Sequence, residues 1–234
     1  MSSTSVKPRT SRAQRTVWIV IAVAGLAMVL TLVIANIVRA DKQETLALDA
    51  GGAQVVREGS RVISQAPQER AVLVEFLDFE CEACRAAKPF VDELKEEYGQ
   101  NLTIVARYFP LPGHLNSMNA ALAVEAAAQQ GQFLPMLDRM YETQADWGEA
   151  SESKADVFRG FAQELGLDMA AFDAAVADPD TRERIERDVA DGTALQVTGT
   201  PTFFLDGEQV EVATLEEFHA LIADSVGSTG QDEK

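Results

Sequence analysis

Apolar side chains form one long uninterrupted run near the N-terminus and several shorter runs beyond it. Val17 to Val38 spans 22 residues without a charged side chain. A helix needs about 20 residues to cross the hydrocarbon core of a bilayer. The pattern therefore predicts a transmembrane signal-anchor helix over residues 17–38, which follows a basic cytoplasmic segment at residues 1–16.

The charges beside this run predict its orientation. Four lysines and arginines precede it, while the four charged residues at positions 39–44 nearly cancel one another. Because Lys and Arg favour the cytoplasmic side, we expect a single-pass protein of the cytoplasmic membrane with its N-terminus inside. A cleaved signal peptide is the alternative, since Val38-Arg39-Ala40 resembles a cleavage site, although such peptides have apolar regions of about 7–15 residues. Both interpretations place residues 41–234 outside the cytoplasm.

The chain after the apolar run begins with alternating strand and helix patterns. Residues 39–53 are polar and indicate a linker, and Val55-Val56 predicts a short strand. Ala71 to Phe79 and Leu102 to Phe109 are apolar runs with β-branched and aromatic residues, which are typical of buried strands. Residues 82–98, between them, have the apolar spacing of a helix. This order predicts a parallel βαβ unit.

Helical patterns dominate the following part of the chain. The segment at about 114–195 is rich in alanine and predicts an inserted helical domain, in which Asp178-Pro179 is typical of an N-cap followed by proline. Phe133 and Trp147 are expected in the core of this insertion. Thr214 to Glu217 forms a capping box that predicts a last helix ending at about residue 223.

Strand patterns return before that last helix. Thr202 to Leu205 and Gln209 to Val212 predict a hairpin, because Asp206-Gly207 between them is a favoured two-residue turn. The tail at residues 225–234 is expected to be loose. The order of elements predicts an α/β fold over residues 54–224, in which the helical insertion interrupts the sheet.

Charge narrows the class of partner. The formal net charge is −17, and all 37 acids lie after residue 40, while five of the 20 lysines and arginines precede that point. Phosphate binding needs clustered Lys and Arg, so nucleic acid is excluded as the main partner. With two cysteines and two histidines, the chain cannot build a disulfide-rich scaffold and could form only one small metal site.

Cys81 and Cys84 carry the candidate chemistry. They follow the strongest strand pattern and open the first helix, and their spacing puts both sulfurs on one side of a helical turn. The helix N-terminus stabilises an anion, which predicts a lowered pKa for Cys81 and a nucleophile paired with a resolving thiol. A structural zinc site would need four ligands, and His114 and His219 are far away in sequence. An inert structural disulfide or a pair of buried free thiols would also fit this spacing.

Two segments together resemble a known superfamily. AVLVEFLDFECEAC at residues 71–84, followed by a helix that Pro89 should kink, and VTGTPTFFLDG at residues 197–207 resemble the thioredoxin superfamily. The helical insertion makes the chain similar to the DsbA-like branch, in particular to membrane-anchored bacterial extracytoplasmic members. The resemblance covers roughly residues 53–224, and it implies a thioredoxin-like fold with an inserted helical domain.

The resemblance also implies roles for individual residues. Cys81 matches the nucleophilic cysteine and Cys84 the resolving cysteine. Glu75 matches a buried acid that exchanges protons with the inner cysteine, and its apolar neighbours favour burial. Pro201 matches a cis-proline that faces the active site. Thr200 matches the residue before it, whose backbone pairs with a substrate strand.

The chain departs from the pattern of DsbA-type oxidants beside the first cysteine. Ala83 occupies the position of a histidine that stabilises the thiolate in those oxidants, and Glu80 and Glu82 should disfavour a second negative charge. Extreme oxidising power is therefore not expected. His114 is expected at the surface or as a cap rather than near the cleft, and His219 is expected to be structural.

The resemblance implies a monomeric thiol–disulfide oxidoreductase that exchanges disulfides with exported proteins, with oxidation as the expected direction. No cofactor is implied beyond the redox-active disulfide of Cys81 and Cys84. A quinone-linked membrane oxidase would regenerate that disulfide. Three alternatives stay open, namely a reductase of exported or apocytochrome disulfides, a copper-delivery protein, and a partner-binding domain with vestigial cysteines.

Overall fold

The computed structural model describes residues 52–228. The predicted segments at 1–16 and 17–38, nearly all of the linker and residues 229–234 lie outside that range. Within it, no helix combines the length and the apolar character needed to cross a membrane.

Five strands and seven helices follow one another in the described part of the chain. They are β1 (Arg61–Ser64), β2 (Ala71–Leu77), α1 (Glu82–Tyr98), β3 (Leu102–Tyr108), α2 (Ser117–Ala128), α3 (Phe133–Trp147), α4 (Ala155–Glu164), α5 (Met169–Ala177), α6 (Pro179–Ala194), β4 (Thr202–Leu205), β5 (Glu208–Gln209) and α7 (Leu215–Ser228). Helices α2 to α6 therefore lie between β3 and β4, in the region where the sequence predicts the helical insertion.

The strands form one mixed sheet in the order β1-β3-β2-β4-β5. β2 and β3 are parallel, which confirms the predicted βαβ unit, whereas β1 pairs with β3, β4 with β2 and β5 with β4 in antiparallel fashion. β2 is central and all seven of its residues are buried. Because successive strand residues point to opposite faces, its side chains contribute to two separate apolar clusters.

The two faces of β2 have different neighbours. Val72, Val74 and Phe76 belong to a small apolar cluster that includes residues of the 195–204 region. Leu73 and Leu77 belong to the main core, which α1 and the helices of the insertion share. Glu75 is two residues from Leu73 and two from Leu77, so all three side chains point to the same face of β2. The carboxyl group of Glu75 therefore lies on the face that α1 covers.

Several predicted boundaries need correction. Val55-Val56 is not a strand, because the carbonyl oxygens of Gln54 and Val55 accept hydrogen bonds from Arg107 instead of from a neighbouring strand. The N-terminal edge strand is β1, which sequence reasoning missed. The last helix does not end at about residue 223 but continues to Ser228, so the expected loose tail is helical up to that point.

Several local signals at helix ends and at the hairpin turn are confirmed, although the second hairpin strand is Glu208–Gln209 instead of the predicted residues 209–212. Asp178 caps α6 through its side chain, with Pro179 in the first turn. Asp206 and Gly207 both have positive φ, as the predicted tight turn requires. The Thr214 hydroxyl accepts a hydrogen bond from the Glu217 amide at 3.1 Å, while the Glu217 carboxylate binds the amide of Ala213. Trp147 and Phe133 are buried in the main core, as predicted.

Candidate active site

The two cysteines lie where β2 gives way to α1. β2 ends at Leu77, and Cys81 is the N-cap residue of α1 with extended backbone angles of φ −71° and ψ 120°. Cys84 lies in the first turn of the helix. Both residues are buried and both are free thiols, Cys84 being the less exposed at 1% against 8%. This arrangement leaves the Cys81 sulfur as the more accessible of the two.

The surroundings of Cys81 favour its thiolate. A hydrogen bond from the Cys84 side chain lowers the pKa of Cys81 to about 5 against the opposing effect of burial, with further contributions from Thr200 and from the backbone amides of Ala83 and Cys84. The amides belong to the first turn of α1, whose unpaired N–H groups stabilise an anion. The prediction of a lowered pKa for Cys81 agrees with this geometry.

Cys84 and Glu75 are shifted in the opposite direction. Burial is the largest cause in both cases, since it penalises the charged form of each group. It raises the pKa of Cys84 far above its ordinary value, and the hydrogen bond with Cys81 and the charge of Glu75 add to this effect. It raises the pKa of Glu75 to about 8, with the Lys88 charge acting against it. Glu75 is 4% exposed, so its predicted burial is confirmed.

The segment before β4 closes over the first cysteine. The Thr200–Pro201 peptide bond is cis, as predicted. The Cys81 thiol donates to the Thr200 carbonyl oxygen, with 3.2 Å between sulfur and oxygen. The Thr200 hydroxyl is also buried. The structure thus brings together Cys81, Cys84, Thr200 and Pro201, and Glu75 on the central strand is close enough for its charge to raise the pKa of Cys84.

Asp78 is a polar hub that sequence reasoning missed. Its backbone oxygen accepts a hydrogen bond from the Cys81 amide at 3.2 Å. Its carboxylate accepts from the amides of Glu80 at 2.9 Å and Leu111 at 3.0 Å, and it contacts Nδ1 of His114 at 2.6 Å. Asp78 is 1% exposed. One buried carboxylate therefore ties the turn before Cys81 to the segment that follows β3.

Glu80 and Gln144 tie the same turn to the insertion. The Glu80 carboxylate accepts hydrogen bonds from the amides of Asn116 at 2.6 Å and Glu149 at 3.1 Å. The Gln144 side chain, from α3, donates to the carbonyl oxygens of Phe79 at 2.7 Å and Cys81 at 2.9 Å. The helical insertion therefore directly positions the backbone at residues 78–81, which we call the active-site turn.

The structure gives Glu80 and His114 surroundings that the sequence did not show. Glu80 is 2% exposed, and its carboxylate is bound by backbone amides. His114 is not a simple surface or capping residue, since its imidazole pairs with Asp78 at the active-site turn. Its 36-residue separation from Asp78 in sequence concealed this contact. One feature of the sequence could have indicated this contact. His114 follows soon after the end of β3, which is the strand that pairs with β2.

A different part of the described chain offers metal ligands. Glu93 and Glu97 on α1 and His219 on α7 have ligand atoms within 4.8 Å of one another. The His219 Nε2 atom lies 2.8 Å from a Glu97 carboxylate oxygen, so the group is held together by its own contacts. Neither cysteine belongs to this cluster.

Solved structures of similar fold include several bacterial thiol–disulfide proteins. α-DsbA1 of Wolbachia pipientis superposes with a TM-score of 0.63 at 19% identity, covering 74% of this chain and 94% of that one. BdbD of Bacillus subtilis, in its oxidised form, gives 0.62 at 16% identity, covering 72% and 94%. A thioredoxin-like oxidoreductase from Silicibacter pomeroyi gives 0.58 at 24% identity, covering 72% and 92%. These likenesses establish the fold.

Curated relatives share a more similar sequence over a shorter stretch. A protein of Herminiimonas arsenicoxydans named Na(+)/H(+) antiporter NhaA is 41% identical over 138 residues, which is 59% of this chain and 21% of that protein. NhaA 1 of Mycobacterium sp. strain KMS is 35% identical over 148 residues, covering 61% and 23%. The chain thus spans about a fifth of the length of these relatives. A family model described as thioredoxin matches residues 64–224, and the chain belongs to this thioredoxin family, with the fold of its DsbA-type members.

Proposed function

We propose that this protein is an extracytoplasmic thiol–disulfide oxidoreductase that uses Cys81 and Cys84 to oxidise the thiols of exported proteins. The observation that carries the proposal is the asymmetry of the two thiols. Cys81 is the more accessible and has a lowered pKa, whereas Cys84 is more deeply buried and has a raised pKa. Such a pair supplies one attacking or attacked sulfur and one resolving sulfur.

The proposed reaction begins with the Cys81–Cys84 disulfide. A substrate thiolate attacks the Cys81 sulfur, the bond to Cys84 breaks, and a mixed disulfide forms at Cys81. Cys84 leaves as a thiolate and takes a proton from the Glu75 carboxyl group, which its pKa of about 8 keeps largely protonated near neutral pH. A second substrate thiolate then attacks the substrate sulfur of the mixed disulfide. The substrate is released oxidised, and Cys81 leaves as a thiolate.

The electrostatics of Cys81 favour oxidation of the substrate. Stabilising the thiolate stabilises the reduced enzyme, which makes the disulfide a stronger oxidant. The pKa of about 5 lies between about 8.5 for a free cysteine and about 3.5 for DsbA. We therefore propose an oxidant of intermediate strength. Reduction of exported or apocytochrome disulfides uses the same residues and is the second candidate.

Location and partners complete the proposal. The apolar run at residues 17–38 supports a membrane anchor with the catalytic domain outside the cytoplasm. The partners are exported proteins with cysteine thiols. The backbone of Thr200 pairs with the substrate strand. A quinone-linked membrane oxidase restores the Cys81–Cys84 disulfide. Sodium–proton exchange, named for the curated relatives, is not part of the proposal, because the chain matches about a fifth of those proteins.

Trapping of mixed disulfides tests this function. Cys84→Ser removes the internal resolving thiol, so the variant should accumulate mixed disulfides with exported proteins, visible on non-reducing gels after acid quenching. Cys81→Ser should trap almost none, and it serves as the matched control. Equal trapping by the two variants would contradict the assignment of roles.

A reduction assay and a metal titration separate the remaining functions. Turnover of insulin disulfides that depends on both cysteines supports an oxidoreductase in either direction, and a glutathione redox titration then places it as oxidant or reductant. Tight copper binding that requires Cys81 and Cys84, without turnover, would favour a copper-delivery protein. Absence of both activities would favour a partner-binding domain.

A further inference from the structure

The pairing of His114 with Asp78 joins a titratable cation to the active-site turn. Nδ1 of His114 contacts the Asp78 carboxylate at 2.6 Å, and the side chain is 28% exposed. This contact orients the ring, because Nδ1 donates its proton to the carboxylate. Among the contacts described for residues 52–228, Nε2 makes no hydrogen bond, so it is the nitrogen that gains or loses a proton with the solvent.

Asp78 connects that histidine to both cysteines. Its backbone oxygen accepts the Cys81 amide, and its own amide hydrogen-bonds the Cys84 sulfur. A charge on His114 is therefore separated from the thiols by one residue that contacts both of them. Asp78 is buried, so solvent only weakly screens the electrostatic interaction between His114 and the thiols.

Two buried acids lie in the turn next to Cys81. Asp78 and Glu80 are 1% and 2% exposed, and their carboxylates lie in the turn that leads into Cys81. Glu80 is bound by the amides of Asn116 and Glu149. Among the described residues, His114 is the one basic side chain that pairs with either carboxylate. A thiolate at Cys81 places a negative charge beside these two side chains.

We propose that His114 is a positioning residue that supplies the positive charge of the active site from outside the Cys-x-x-Cys motif, and that its protonation stabilises the Cys81 thiolate. Ala83 leaves the motif without a basic side chain of its own. The inference rests on the proposed function only in taking Cys81 as the reactive thiol. If so, the segment after β3 helps to determine the stability of the Cys81 thiolate.

The charges that face His114 agree with this assignment. Burial acts to lower the pKa of His114, yet the hydrogen bond and charge of Asp78, with the charges of Glu80 and Cys81, raise it overall. Because such coupling is reciprocal, a thiolate that favours the imidazolium is itself favoured by it. On the neighbouring connection between α3 and α4, Lys154 pairs with Glu152 at 2.7 Å, so these two charges offset each other. Glu149, on the same connection, adds an acid and no cation.

The test measures the pKa of Cys81 in variants of the two histidines of the chain, with His219 as the control. The reduced full-length chain, purified in detergent, is alkylated with iodoacetamide at a series of pH values, and modified Cys81 is quantified by mass spectrometry. His114→Gln keeps a hydrogen-bond donor for Asp78 but has no charge. We expect it to raise the pKa of Cys81 by about half a unit, a roughly threefold weaker stabilisation of the thiolate.

Two further variants separate charge from structure. His219→Gln removes the other histidine of the chain, which pairs with Glu97 on a different part of α1, and it should leave the titration of Cys81 unchanged. His114→Lys restores a permanent cation and should return the pKa of Cys81 towards the wild-type value.

Two outcomes would overturn the proposal. One is a titration of Cys81 in His114→Gln that matches the wild type or shifts no more than in His219→Gln. The other is a shift in His114→Gln that His114→Lys does not reverse, because the role of His114 would then be structural. The readout is a thiol titration and not turnover, so a protein that fails to exchange disulfides with substrates still gives a decisive result.

Discussion

Buried acids occur in two regions of this molecule, and the groups that face them differ in kind. At the active-site turn, Asp78 and Glu80 are bound by backbone amides and one histidine, and Glu75 lies nearby. On the other face of the sheet, Asp188 and Asp191 of α6 are bound by arginines. We call these regions the active-site acids and the arginine cluster.

The arginine cluster is organised around one fully buried guanidinium group. Arg107 on β3 contacts Asp188 at 2.8 Å and also pairs with Asp191, and its side chain is 0% exposed. Its remaining nitrogen donates to the carbonyl oxygens of Gln54 at 2.8 Å and Val55 at 2.6 Å. The cluster therefore fastens the segment before β1 to the sheet and to α6.

The comparison teaches how the fold separates fixed charges from titrating ones. A guanidinium group stays charged at every physiological pH. For Asp191, burial acts to raise the pKa, but hydrogen bonds from Arg57 and Arg107 lower it overall, which favours the ionised carboxylate. At the active site, burial raises the pKa of Glu75 to about 8, where the carboxyl group can give and take protons. The arginine cluster stabilises the fold, and Glu75 at the active site is placed to exchange protons.

The largest expected effect comes from breaking the arginine cluster. Arg107→Leu removes the buried partner that Asp188 and Asp191 share and leaves them with the partly exposed Arg184 and Arg57. Removing one member of a buried ion pair costs up to about 3–5 kcal/mol. The free energy of unfolding, measured by denaturant titration of the full-length chain in detergent, should fall by an amount of this order. Arg159→Leu, which removes an exposed partner of Asp173, is the matched control and should change it little. Similar losses in both variants would contradict the distinction.

The next effect concerns the pH dependence that Glu75 contributes. Its pKa is higher in the folded protein than in the unfolded chain, so between pH 4.5 and about 8 the unfolded state binds fewer protons. The free energy of unfolding should therefore fall as pH rises through this window, by at most a few kcal/mol. Glu75→Gln removes this term, so the difference in unfolding free energy between variant and wild type should grow towards alkaline pH.

The control for that experiment is another acid near the cysteines. Glu82 is exposed at the start of α1, so Glu82→Gln should leave the pH profile of the wild type nearly unchanged. Cys81 titrates in all three proteins, and the differences between them therefore isolate the carboxyl groups. A profile for Glu75→Gln parallel to that of the wild type would mean that Glu75 ionises normally.

The smallest expected effect tests the neutral tie between the insertion and the active-site turn. Gln144→Leu leaves the Phe79 carbonyl without its side-chain donor, while the Cys81 carbonyl keeps the Arg85 amide. An unsatisfied buried polar group costs about 1–3 kcal/mol. We expect a loss of that order in unfolding free energy and faster hydrogen exchange at the amides of the turn. Gln129→Leu, which removes an exposed amide that binds Thr181, should leave that exchange unchanged.

Sequence patterns predict the central elements better than the edges of the sheet. The helix predicted over residues 82–98 has the bounds of α1, because the apolar spacing is regular and Gly99 follows the last turn. β1 was missed, since only Ile63 of its four residues is buried and no alternation is visible over so short a strand. The second hairpin strand is shorter than predicted and comprises Glu208 and Gln209.

The amino-acid sequence by itself determined the βαβ unit, the place of Cys81 and Cys84 at a helix start, and the burial of Glu75, because these depend on short-range periodicity and on neighbours in the chain. Only the tertiary structure decided which charges surround the cysteines. His114 contacts Asp78 although the two residues are 36 positions apart in sequence. Backbone amides of Asn116 and Glu149 bind the Glu80 carboxylate. Electrostatic effects depend on distance and burial, and neither can be read from spacing along the chain.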